Sequence, residues 1–126
     1  MILSLVLALI AGPMAVQDRS DTYFICQSQS KGVVLQTCLD SALADEDRFL
    51  NTTYRAARQG LDRAETLQLR DRQRAWIRAR DAACDSRAAD QSDPALARAA
   101  RTDCLLTWTA ERSLWLENTY LTGSRK

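Results

Sequence analysis

The side chains that could do chemistry in this chain are polar residues that recur among apolar ones at helical spacing. Three such groups occur: Asp47, Leu50, Asn51 and Tyr54; Gln73, Trp76, Ile77, Arg80, Asp81 and Cys84; and Cys104, Thr109, Arg112 and Leu116, with Arg112 one turn from Trp108 and Trp115. A charge on a half-buried helix face needs a partner. We therefore predict that Arg80 or Arg112 contacts the carboxylate of Asp47 or of another acid on a helix, with tryptophan rings stacked on the guanidinium groups. We expect such a network to fix helix register, since arginine–carboxylate pairs between helices commonly satisfy residues of this kind. The alternative is that it forms part of a pocket or partner site.

The residue types argue against catalysis. The chain has no histidine, which removes Ser-His and Cys-His nucleophiles and the commonest metal ligand. No phosphate-binding loop, metal set or cofactor motif is visible, so we predict no enzyme, no metal and no cofactor. A cleft holding Asp47 or Glu111 with a raised pKa would reopen the question of catalysis. The formal net charge of +1, from 17 basic and 16 acidic residues, gives no basis for nucleic-acid binding.

The chain has four cysteines, and all of them lie beyond the apolar N-terminal segment of residues 1–16. They are Cys26, Cys38, Cys84 and Cys104. An even number in a small exported domain favours two disulfides. Sequence alone allows three pairings, and local closure favours Cys26–Cys38 and Cys84–Cys104, with Cα atoms of the latter pair about 4.4–6.8 Å apart. The alternative is a zinc site of four thiolates, although zinc frameworks usually contain closer cysteine pairs.

The first 16 residues carry no charged side chain and are too few to span a bilayer, which takes about 20. Residues 2–10 are typical of the apolar centre of a signal peptide, and the small residues that follow favour cleavage after Ala15. The alternative is a buried N-terminal helix of a cytosolic protein. We predict a signal peptide over 1–15, a periplasmic or secreted location, and no stable membrane insertion after cleavage.

The elements that must position these residues are helices, because good helix formers dominate beyond the apolar segment and breakers are few. The positions of glycine and proline, which interrupt helices, predict helices over 34–59, 62–88 and 94–120. Asp93 is the expected N-cap of the third helix and Pro94 its first residue. The apolar face of the second helix includes Leu69, Trp76 and Ile77. We predict an all-α, small antiparallel three-helix domain with two disulfides. We predict an irregular N-terminal segment over 16–33, a helical domain over 34–121 and a flexible tail over 122–126.

The order of these motifs resembles the lysozyme inhibitor LprI-like N-terminal domain family. The resemblance covers about residues 24–120, and its specific part is the segment from Gln73 to Cys84. The other matching positions are Cys26, Cys38, Asp47, Leu50, Asn51, Tyr54, Cys104, Thr109 and Arg112. The resemblance implies a secreted or periplasmic bacterial helical domain with disulfides, and some relatives that bind and inhibit lysozyme.

On this basis the expected function is protein binding, with lysozyme or another envelope protein as partner. The exposed polar loops Gln27–Gly32 and Ala89–Asp93 are the segments we expect to enter a lysozyme cleft, where shape outweighs net charge. The alternative is a structural or stress-related envelope module with a partner other than lysozyme.

Overall fold

The computed structural model describes residues 25–26 and 33–122, and in these ranges it contains helices and no strand. Helix α1 spans Val33–Gln59, α2 spans Arg63–Ala89 and α3 spans Pro94–Leu116. One π-helical turn, Glu117–Leu121, continues α3. The predicted all-α fold is confirmed, and the first two helices begin and end within about one residue of the predicted bounds. The signal peptide and almost all of the predicted N-terminal and C-terminal segments lie outside the described residues.

Local side-chain chemistry explains where α2 and α3 begin. The Asp62 carboxylate accepts a hydrogen bond from the Glu65 amide at 2.8 Å, and the Glu65 carboxylate accepts one from the Asp62 amide at 3.3 Å. This reciprocal pair is a capping box. At α3, Asp93 Oδ1 accepts hydrogen bonds from the amides of Ala95 and Leu96 at 2.9 and 3.0 Å. Asp93 is therefore the N-cap, as predicted.

Helix α3 is the central element, because it makes close backbone contacts with both α1 and α2. Near the starts of α1 and α3, Gln36 Nε2 donates to Thr102 Oγ1 at 2.9 Å, so these two helices run parallel. The Cys84–Cys104 disulfide joins the end of α2 to the first half of α3, so α2 runs antiparallel to both. Consecutive helices are thus antiparallel, and α1 and α2 flank α3.

The buried apolar residues form three clusters along this arrangement. They are Leu50, Ala57, Leu69 and Leu116; Cys26, Leu39 and Ala99; and Cys84, Cys104 and Leu105. Helix α2 contributes few of them, because only one narrow stripe of it meets α3. The prediction that Ile77 lies on the buried face is therefore wrong: its side chain is 38% exposed, beside the half-buried Trp76.

Both predicted disulfides are confirmed. Cys26 and Cys38 have Cα atoms 5.7 Å apart, and Cys84 and Cys104 have Cα atoms 5.4 Å apart. All four sulfur atoms are therefore committed to disulfides, which contradicts the zinc-site alternative. Across the described ranges, no helix is both long enough and apolar enough to span a membrane.

Candidate functional site

Arg112 bridges α2 and α3 through one hydrogen bond and two aromatic contacts. Its Nε donates to Gln73 Oε1 at 2.8 Å. Its guanidinium carbon lies 4.0 Å from the ring centroid of Trp115 and 5.5 Å from that of Trp76. Burial lowers the pKa of Arg112 from its ordinary value, although a guanidinium stays charged at any physiological pH. The predicted stacking of arginine on tryptophan is present here, and the hydrogen-bond acceptor is an amide, not a carboxylate.

Arg80 forms a second bridge between the same two helices. Its Nη1 lies 3.4 Å from Thr109 Oγ1 on α3, and its guanidinium carbon lies 5.1 Å from the ring centroid of Trp76. The carboxylate that Arg80 contacts belongs to Asp81, its neighbour in sequence, at 3.0 Å. Trp76 is consequently in contact with both Arg80 and Arg112, and the interhelical links of this network join α2 to α3.

Asp47 is not part of this hydrogen-bonded network. Within the described residues its half-buried carboxylate makes no hydrogen bond and no ion pair. Burial raises the pKa of Asp47 above its ordinary value, and the nearby positive charge of Arg80 offsets part of that rise. The prediction that Arg80 or Arg112 contacts Asp47 or another acid on a helix is confirmed by the Arg80–Asp81 pair, whereas a direct pair with Asp47 is absent from the described residues. Helix periodicity places Asp47 on the side of α1 that faces the groove to α2, but it does not determine the distance between Asp47 and a partner on another helix.

A groove of about 390 Å³ lies between α1 and α2, and it collects most of the predicted motif residues. Helix α1 supplies Asp47, Leu50, Asn51 and Tyr54. Helix α2 supplies Arg70, Gln73, Arg74, Trp76, Ile77 and Arg80. The structure thus brings together around one concave surface six of the eight residues of the predicted polar network, which are Asp47, Asn51, Tyr54, Gln73, Trp76, Arg80, Asp81 and Arg112. Asp81 and Arg112 do not line it, and each instead contacts a residue that does.

Some groove residues were missed as site residues by the sequence reasoning. Arg70 and Arg74 line the groove although the sequence analysis does not single them out, and Ile77 lines it although its pattern predicts a buried position. Their spacing along α2 puts them beside Gln73 and Trp76, so helical periodicity could have identified them as neighbours of the predicted residues. What the sequence did not contain was the separation of α1 from α2, which leaves this face open.

A smaller pocket of about 240 Å³ contains all three tryptophans of the chain. It is lined by Trp76, Trp108, Trp115, Glu111 and Arg112. The Arg112 guanidinium already occupies the face of Trp115, and one of its nitrogens, Nη2, is buried with no hydrogen-bond acceptor in the described part of the chain. The contact with the Trp115 ring is the interaction that compensates this charge.

The third concave surface lies at the junction of α2 and α3, beside the predicted Ala89–Asp93 loop. Its volume is about 390 Å³, and its lining includes Arg87, Asp90 and Asp103. Burial raises the pKa of Asp103, and Arg87 offsets part of that rise. All five residues of the Ala89–Asp93 loop are exposed, whereas the other predicted loop, Gln27–Gly32, lies outside the described residues.

The groups that line the α1–α2 groove include one carboxylate, that of Asp47. Burial raises the pKa of Asp47, but glycoside hydrolysis takes a second carboxylate. None of the other groups lining the α1–α2 groove carries one. No cluster of histidine, cysteine or acidic side chains in the described ranges could hold a metal ion. Unpaired polar groups next to partly exposed apolar side chains are typical of a recognition surface.

Comparison with known families gives one match. The family model described as Lysozyme inhibitor LprI matches residues 26–116, which is well over half of the chain. The matched region begins at the first disulfide cysteine and ends at the last residue of α3. No curated protein and no solved structure matches the chain.

Proposed function

This chain belongs to the lysozyme inhibitor LprI family, and we propose that it binds a lysozyme by protein–protein contact and inhibits it. The observation that carries this proposal is the extent of the family match. It includes α1, α2 and α3 and the cysteines of both disulfides, so it covers the folded body and not an isolated motif.

We propose further that the contact is made by the Ala89–Asp93 loop. A segment that enters a lysozyme cleft must be accessible, and this loop is exposed along its whole length. The loop is also anchored on both sides. The Cys84–Cys104 disulfide joins the helices on its two sides, and the Asp93 cap ends it. A preorganised loop loses less conformational entropy on binding than a mobile one.

The compartment follows from the same features. Disulfides form and persist in oxidising environments such as the bacterial periplasm, and this domain has two. We propose that the chain is exported through its charge-free N-terminal segment and works in the periplasm or outside the cell. A fusion of residues 1–15 to a reporter that is active only after export would test this directly.

The binding experiment compares the wild-type protein with matched variants against immobilised C-type and G-type lysozymes. The test variant is Asp90→Ala/Gln91→Ala, which alters the loop without removing the Asp93 cap. The control is Asp45→Ala, which removes one exposed acid on α1 whose ion pair within the described residues is with Arg48. We expect the loop variant to lose binding and the control to retain it. Absence of binding by the wild-type protein to every lysozyme would contradict the proposal and favour a different envelope partner.

The inhibition assay needs a control for substrate shielding, since a protein that coats the glycan also slows its cleavage. Direct inhibition predicts the same fractional loss of activity on intact cell walls and on a small soluble glycoside substrate. Loss of activity on cell walls alone, with no lysozyme binding, would refute inhibition by protein–protein contact.

A further inference from the structure

The groove between α1 and α2 presents polar groups that the fold itself does not use. In the described part of the chain, the side chains of Asp47, Asn51 and Arg74 make no hydrogen bond and no ion pair. Asn51 and Arg74 are exposed and Asp47 is half-buried. All three line the same surface. Their hydrogen-bonding capacity is therefore available to a ligand.

The charges around this groove are nearly balanced. Arg70 pairs with Asp71 at 3.3 Å, and Arg80 pairs with Asp81 at 3.0 Å. The remaining charges that line the groove are one carboxylate and one guanidinium, Asp47 and Arg74. A phosphate or nucleic-acid site would present a surplus of positive charge, and a cation site a surplus of negative charge. The balance here favours an uncharged polar ligand.

The three free side chains also differ in hydrogen-bond character. The Asp47 carboxylate only accepts, the Arg74 guanidinium only donates, and the Asn51 amide does both. Next to them lies partly exposed apolar surface, contributed by Ile77 and Trp76. A sugar ring has the matching chemistry, because its hydroxyl groups both donate and accept while the faces of the ring carry C–H bonds. The volume of about 390 Å³ lies at the lower end of the range of small-molecule sites, about 300–1,000 Å³.

We propose that this groove binds a short uncharged oligosaccharide. The hydroxyl groups of the sugar donate to Asp47, accept from Arg74 and exchange both kinds of hydrogen bond with Asn51. The C–H face of one ring packs against Ile77. This binding is independent of lysozyme contact, since the groove residues lie on α1 and the middle of α2 and the proposed lysozyme-binding loop lies beyond the end of α2.

The test is titration of the isotope-labelled protein with chitotriose and cellotriose, followed by amide chemical shifts. Inorganic phosphate and spermidine serve as the anionic and cationic comparisons. We expect at least one of the two sugars to bind with a dissociation constant of about 1 mM or tighter. The shift changes should concentrate in residues 47–54 and 70–80. No binding by either sugar, or tighter binding of phosphate or spermidine, overturns the proposal.

Variants separate this proposal from the lysozyme proposal. Asp47→Asn and Asn51→Ala should each weaken sugar binding by about tenfold, which is about 1.4 kcal/mol. Asp45→Ala on the same helix and Asp90→Ala/Gln91→Ala in the loop should leave it unchanged. Wild-type affinity in both Asp47→Asn and Asn51→Ala refutes the assignment of the groove. Circular dichroism of each variant shows whether the fold is retained, and none of these side chains is fully buried.

Discussion

The disulfide between α2 and α3 should be the strongest single contribution to the attachment of α2. Only Leu69, Gln73 and Cys84 are buried on α2, whereas α3 buries nine residues. Beyond Trp76, the contacts of α2 with α3 include the Arg80–Thr109 hydrogen bond and the disulfide itself. We therefore predict that the double variant Cys84→Ala/Cys104→Ala loosens the second half of α2 first.

The expected magnitude follows from the length of chain that the disulfide closes. The sequence separation is 20, and the loop-entropy relation gives about 11 cal/mol/K, or about 3.3 kcal/mol at 25 °C. In a domain of this size such a loss lowers the melting temperature by roughly 10–20 °C. Urea denaturation followed by circular dichroism measures the free energy of unfolding, and amide hydrogen exchange locates the loosened segment.

The Cys26→Ala/Cys38→Ala variant is the matched control. Its disulfide has a sequence separation of 12, so the same relation gives about 2.8 kcal/mol, nearly the same loss of global stability. Only the Cys84 and Cys104 variant should accelerate exchange selectively in the second half of α2. Equal exchange profiles in the two variants, or a free energy of unfolding within about 0.5 kcal/mol of wild type, would refute this account of how α2 is held.

Three further substitutions test other parts of the structure. Asp93→Ala removes two cap hydrogen bonds and should lower the free energy of unfolding by about 1 kcal/mol in urea denaturation, whereas no change would mean that Pro94 alone starts α3. Arg112→Met leaves the Gln73 amide oxygen without its donor and removes the contact with Trp115. It should cost about 1–3 kcal/mol, and an unchanged stability would contradict the bridging role. Burial raises the folded-state pKa of Asp47 above its unfolded value of 3.8. Between these two pKa values the native state binds more protons than the unfolded state, so stability falls as the pH rises through this range. The free energy of unfolding of Asp47→Asn should therefore exceed that of wild type at pH 7 by at most about 1 kcal/mol. This advantage should disappear below pH 3.8, and a difference that does not depend on pH would contradict the raised pKa.

The fold could be predicted because its determinants are local in sequence. Gly60 and the Asp93-Pro94 pair mark helix boundaries through backbone geometry and capping, and both effects act within a few residues. The disulfide pairing was predictable for a similar reason, since each bridge closes the shorter of the available loops. The π-helical turn Glu117–Leu121 was not predicted, because nothing in the hydrophobic period distinguishes it from the preceding helix.

The contacts between helices could be predicted only in part. Helix faces identified Asp47, Arg80 and Arg112 as polar residues that needed partners, and the arginines do have them. Arg80 on α2 contacts Thr109 on α3, and Arg112 on α3 donates to Gln73 on α2. Each arginine projects toward the other helix, so the packing of α2 against α3 decides its partner. Periodicity defines the direction of a side chain around its own helix, whereas the choice of partner depends on the packing of helices, which is not encoded in any one segment.

The same geometry separates the two interpretations that the residue types left open. Gln73, Arg80 and Arg112 use their polar groups to join α2 to α3, which is the behaviour expected of residues that fix helix register. Asp47 and Asn51 on α1 have no such contacts within the described residues, and burial already disfavours the charged form of Asp47. These two side chains therefore keep hydrogen-bonding capacity that an external partner could use. Stability and ligand binding should therefore depend on different residues, with Gln73, Arg80 and Arg112 controlling stability and Asp47 and Asn51 controlling ligand binding.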